Sequence, residues 1–148
     1  MLKLFVGQYK NEKTLIKFNM LRYTTMCIVL DYYCFMNSVE SDVACTLEHL
    51  IGLVFNKSSF EDTEENRIMV QTTIINMKMM GLLNAHTQDT LAITNQGKQA
   101  YIDQTYHLAT ANLYQANASR RLSMIAIGVA IAGILLTLIL QLIESNAA

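Results

Sequence analysis

The strongest pattern along the chain is a run of 22 residues, 122–143, reading LSMIAIGVAIAGILLTLILQLI, with no charge and only Ser123, Thr137 and Gln141 as polar interruptions. At about 1.5 Å per residue a helix of that length reaches roughly 33 Å, enough for a hydrocarbon core of about 30 Å. The run predicts one membrane crossing, because the rest of the chain is too short to bury such a helix on every side. Upstream, Leu2, Leu4 and Val6 alternate with other residues, which predicts a strand or arm over residues 1–13. Over residues 14–36 apolar positions recur without Gly or Pro, including Leu15, Phe18, Leu21, Met26, Val29 and Phe35, and predict a first helix. Arg22 and Asp31 limit its uncharged run to eight residues, far short of a second crossing. Ser38 then caps a predicted second helix over 39–55, with Val43, Leu47, Leu50, Ile51 and Val54 on one face.

The polar stretch NKSSFEDT, residues 56–63, separates this helix from a third, which Asp62 or Thr63 caps and Gly81 stops after Met80. Two short apolar runs, 82–85 and 91–94, flank the polar turn HTQD and predict a β-hairpin between two helices. The order of three helices, the third ending in MKMMGLL, then a hairpin, then LAITNQGKQAY resembles the winged helix-turn-helix domain of bacterial regulators over about residues 14–110. In that family a recognition helix ends in a Gly-Leu step, a wing follows, and a Leu-Thr-x-x-Gly-like segment opens the last helix. The resemblance implies a mainly α fold with a small β-hairpin, and a third helix that lies in the DNA major groove where family members bind DNA.

No Gly or Pro occurs between Lys98 and Ile127, so the last helix is expected to run unbroken from the wing through a stalk, 111–121, into the membrane, coupling domain and anchor rigidly. Along it Ile102, Tyr106, Ala109, Leu113, Ala116 and Arg120 follow steps of four and three, the spacing of a heptad seam. Two readings fit the seam: a parallel dimer stalk, or Ile102 and Tyr106 packing back on the winged domain. Gly128 and Ala132 form a small-xxx-small pair within the span. The expected organisation is an arm (1–13), a winged-helix domain (14–110), a stalk (111–121), a transmembrane helix (122–143) and a short tail (144–148).

Composition agrees with a membrane segment. The chain has 148 residues and a charged fraction of 16%, below the usual quarter of a soluble domain, and its mean hydropathy is +0.25. Eleven Lys and Arg against 12 Asp and Glu leave a net charge of -1, with no basic excess to advertise nucleic acid. Arg120 and Arg121 abut the span on one side and only Glu144 follows on the other, so positive charge places the N-terminus in the cytosol. The expectation is a single-pass, tail-anchored protein of the cytoplasmic (inner) membrane. Cys27, Cys34 and Cys45 then lie in a reducing compartment and read as small buried apolar residues.

Catalytic and metal signatures are missing. The sequence has no nucleotide-binding glycine pattern, zinc helix motif or Gly-x-Ser-x-Gly elbow, and His49, His86 and His107 are far apart. Asp103 and His107 share a helical face without a third ligand, which reads as an ordinary polar contact. No enzyme activity, metal or cofactor is expected. What remains is the third helix. Val70, Ile74 and Met77 share its core stripe, and Ile68, Thr72, Ile75 and Met79 lie on the opposite face. Base edges and phosphates call for Arg, Lys, Asn or Gln, yet that face is mostly apolar. Arg67, Gln71, Asn76 and Lys78 on its flanks are possible DNA contacts. Against them stand Glu61, Asp62, Glu64 and Glu65 at the helix start and a hairpin without Lys or Arg between Lys78 and Lys98. The sequence therefore ranks a protein interface, with a partner or by self-association, above DNA. The alternative is a membrane-tethered winged-helix transcription regulator. The apolar row has a plainer reading too, as a face covered by the N-terminal strand or first helix.

Overall fold

The computed structural model of the chain describes the backbone of residues 2–39 and 43–147, and the side chains of residues 14–38 and 43–142. The elements are α1 (Leu2–Val39), β1 (Ala44–Thr46), α2 (Leu47–Lys57), α3 (Glu64–Met79), β2 (Leu83–Ala85), β3 (Thr90–Ile93), α4 (Asn95–Ile102) and α5 (Thr105–Ala147). The architecture is thus mainly helical, with one small antiparallel sheet in the order β1-β3-β2. The chain divides into two units, Met1–Leu113 and Tyr114–Ala148.

In the first unit three amphipathic helices supply the core. Leu21, Met26, Val29, Leu30 and Tyr33 come from α1, Leu50, Ile51 and Val54 from α2, and Val70, Ile74 and Met77 from α3, with Leu82 and Leu83 closing the sheet side. Leu21, buried Thr25, Val29 and Tyr33 recur every four residues, and Leu50 with Val54 and Val70, Ile74 and Met77 follow three- and four-residue steps, so one stripe of each helix is withdrawn from water. Tyr33 is fully buried, and its hydroxyl donates to the Leu91 carbonyl of β3 at 2.6 Å, tying α1 to the central strand.

Burial pushes the Tyr33 phenol above its ordinary value. The folded protein therefore holds that proton more tightly than the unfolded chain does. The stability this contributes is complete below about pH 10 and is lost as pH rises further. Tyr33→Phe removes this hydrogen bond to a partly buried carbonyl and is expected to cost about 0.5–1.5 kcal/mol. It should also lessen the loss of stability between about pH 9.5 and about pH 11.5, read by denaturant unfolding of both proteins. An equal loss in the two would show that Tyr33 does not carry it.

The fold corrects several sequence expectations. The N-terminal strand is absent: residues 2–13 belong to α1, which continues to Val39. Three alternating positions were too few to outweigh an uninterrupted helical run behind them. Ser38 is not a cap for the second helix; its hydroxyl donates to the Phe35 carbonyl in the last turns of α1. The cap of α2 is Thr46, whose side chain accepts from the His49 N–H, and the helix covers Leu47–Lys57 rather than 39–55. Val43 precedes the unexpected strand β1, which pairs Ala44 with Ala92 and Thr46 with Thr90. The hairpin is therefore two strands of a three-stranded sheet.

The last helix is broken as well. α4 ends at Ile102, the Asp103 N–H bonds to the Gln99 carbonyl, and Gln104 turns the chain at φ 52° before α5 begins. A polar, unbranched residue tolerates the left-handed conformation well enough to replace the glycine expected at such a stop. Cys27 and Cys45 are buried as expected, whereas Cys34 is only half-buried.

The second unit is the rest of α5. Every described side chain from 121 to 142 is exposed, and this helix is long and apolar enough to cross a membrane once. The Ser123 hydroxyl donates to the Ser119 carbonyl at 3.0 Å and the Thr137 hydroxyl to the Gly133 carbonyl at 2.9 Å. Both hydroxyls thus find partners inside their own helix, as hydrocarbon requires. Helix α5 continues to Ala147, so most of the expected tail, 144–148, is helical.

Candidate functional site

The outward face of α3 is fixed by constraints at both ends of the helix. At the start, the Thr63 side chain accepts from the Asn66 N–H at 3.3 Å, and Glu64 and Glu65 complement the positive end of the helix dipole. Asn66 is buried, and its side-chain amide donates to the Glu61 carbonyl at 2.8 Å, which binds the approach loop to the first turn. At the end, the Gly81 N–H reaches the Lys78 carbonyl at 3.0 Å and the Leu82 N–H reaches the Met77 carbonyl at 2.9 Å. Gly81 adopts φ 74°, so this is a Schellman stop, with Leu82 and Met77 both in the core.

Between these ends the faces separate. Asn66, Val70, Thr73, Ile74 and Met77 point inward. On the other side Ile68 is 59% exposed, Ile75 44% and Met79 80%, and Thr72 is exposed between them. Met80, not anticipated from the sequence, extends the row. These side chains keep much of their surface open to solvent.

The flanking polar residues have distinct fates. Arg67 makes a bidentate pair with Asp62, Nε to Oδ1 at 2.8 Å and Nη2 to Oδ2 at 3.2 Å, and its Nη1 lies 3.5 Å from Glu48 Oε2. Glu48 was missed because it is distant in sequence and no local spacing marks it. Asn66 was legible in principle, since it occupies the core stripe one turn before Val70. Gln71 and Lys78 are exposed and Asn76 is half-buried.

The hairpin beside α3 is held by Thr94. Its hydroxyl accepts from the Gly97 N–H at 3.0 Å and donates to the Gly81 carbonyl at 2.5 Å, and its own N–H bonds to the Leu82 carbonyl at 3.1 Å. Gly97 is buried where a Cβ would overlap the Leu82 oxygen. At the tip, residues 86–89 are exposed, the hydroxyls of Thr87 and Thr90 are 2.6 Å apart, and no Lys or Arg is present.

The residues of the expected heptad seam are not on one helix. Ile102, 67% exposed, precedes the Gln104 turn, and Tyr106, Ala109, Leu113 and Ala116 follow it. The turn resets the helical phase, so the four-three spacing has no meaning across it. Tyr106 is half-buried with its ring 6.4 Å from that of Tyr23. His107 Nε2 lies 2.9 Å from Asp31 Oδ1, and Cys27 Sγ lies 3.2 Å from Thr110 Oγ1. The first turns of α5 thus fasten onto α1. Asp103 accepts instead from Gln99 Nε2 at 2.9 Å, so it is not the partner found for His107. Ala109 and Leu113 are half-buried and Ala116 is exposed. Arg120 is half-buried and Arg121 exposed, just before the apolar run.

Burial pushes the Cys27 and Cys34 thiols above their ordinary values. No group of three His, Cys, Asp or Glu side chains among the described residues is placed to hold a metal ion. Comparison with known proteins finds no family model, no curated protein and no solved structure that matches this chain.

Proposed function

We propose that this chain is a non-enzymatic, membrane-anchored protein of winged-helix type that serves as an interaction or assembly subunit at the cytoplasmic membrane face. The observation that carries the reading is the row of Ile68, Ile75 and Met79, exposed on a helix whose phase is locked at both ends. Apolar side chains gain by leaving water, and methionine adapts to an irregular partner surface. Three helices followed by a hairpin on one core support the winged-helix type, and the apolar run of α5 supports the anchor. Arg120 and Arg121 beside that run favour a cytosolic first unit.

DNA is the weaker alternative. Arg67, the cation nearest the start of α3, is already engaged by Asp62 and Glu48, and the hairpin tip offers the phosphate backbone no cation. The test is co-purification of the tagged, full-length protein from detergent, with mass spectrometry of what it retains. Ile75→Glu combined with Met79→Glu should shift thermal unfolding little, since exposed substitutions usually cost within about 0.5 kcal/mol, and should abolish retention of a protein partner. Unchanged retention sinks the reading. Salt-sensitive retention of duplex DNA, lost in Arg67→Ala with Lys78→Ala, would replace it with the DNA alternative.

A further inference from the structure

One flank of the outward face of α3 carries a balanced arrangement of charge. Glu64, Gln71 and Lys78 are spaced seven residues apart and all exposed, so they form one flank of the apolar row. Gln71 is the midpoint, with an acid two turns before it and a base two turns after it. Within the row, Ile68 and Ile75 lie on either side of Gln71 and Thr72, and Met79 lies beyond them toward the C-terminal end. Neither Glu64 nor Lys78 is in an ion pair among the described residues.

From this placement we infer that α3 docks against α3 of a second copy of the chain, antiparallel, about a twofold axis near Gln71. The inference rests on the reading of this face as a protein interface. An antiparallel twofold pairing puts Glu64 of each copy opposite Lys78 of the other and the two Gln71 amides opposite each other, where each amide both donates and accepts. Ile68 of one copy then meets Ile75 of the other. A parallel pairing turns this flank toward the opposite flank of the second copy, so Glu64 and Lys78 do not meet and the charge complementarity is lost. One helix face is small beside the roughly 800 Å² per partner of a stable complex. The pairing is therefore weak in free solution and depends on copies concentrated by a shared membrane.

The test uses the full-length protein reconstituted in vesicles, with two differently tagged copies and a short thiol crosslinker. Gln71→Cys is expected to crosslink the two tags at several times the background of the protein carrying only its own cysteines. In the Gln71→Cys protein, Glu64→Lys alone and Lys78→Glu alone should each lower the crosslinked yield about ten-fold, because each brings like charges together. Mixing the two single variants, or combining both changes in one chain, restores opposite charges and should restore the yield. Such rescue is not the behaviour of variants that merely unfold. Absence of a crosslink from Gln71→Cys, or charge variants without effect, overturns the second-copy assignment. If Ile75→Glu with Met79→Glu still strips a different protein in that case, the interface reading survives without it. If the Glu pair strips nothing, both fall.

Discussion

Gly97→Ala is expected to destabilise the first unit by about 3 kcal/mol and to lower its unfolding midpoint by more than about 10 °C. The added methyl would overlap the Leu82 carbonyl oxygen and lie 2.8 Å from Ile93 Cγ1. A flexible side chain could yield, but the closer obstacle is backbone, and that backbone is held on several sides. The Leu82 oxygen accepts from the Thr94 N–H, and the Leu82 N–H is engaged by the Met77 carbonyl in the stop of α3. Relief would require α4 to retreat from the hairpin or the hairpin to retreat from α3. Circular dichroism of the full-length protein in detergent, followed against temperature, reads the shift. A midpoint within about 2 °C of the parent would mean that α4 does not sit this close to the hairpin.

Two adjacent isoleucines give the second large effect. Ile74 is fully buried and Ile75 is 44% exposed. Ile74→Glu places a carboxylate in the hydrophobic core formed with Val70, Met77 and the buried residues of α1, and should cost more than about 4 kcal/mol, enough to unfold many domains. Ile75→Glu, one position on, should cost less than about 1 kcal/mol. The ratio measures the rotational phase of α3 directly. Similar losses in both would make the outward face part of the interior, and the proposed interface would go with it.

Much of this phase was legible from residues alone, because Val70, Ile74 and Met77 mark one stripe and Gly81 marks where the helix must end. The hairpin was legible for the same reason, as two apolar runs with a polar turn between them. The break at Gln104 was not, since it uses none of the residues that signal a stop and is stabilised by Asp103 and Gln104 N–H groups reaching back to Gln99 and Tyr101. Strand β1 escaped because three residues carry no periodicity, and what makes them a strand is Leu91 and its neighbours far along the chain. The salt link of Arg67 to Glu48 and the clasp of His107 on Asp31 are of the same kind. Both join residues that only the packed core brings together.

Strand β1 also has a place in time. Pairing Ala44 with Ala92 closes a loop of roughly 50 residues, whereas β2 and β3 meet across a turn of a few. Distant pairings form late in folding and open early in the native state. Because Thr46 both ends β1 and caps α2, one opening event frays the sheet edge and the first turn of that helix together. Cys45, buried at the middle of the strand, is uncovered by the same event, while Cys27 stays enclosed on α1. The chain thus carries its own chemical clock, in which the rate of thiol capture at Cys45 reports how often the sheet edge breathes.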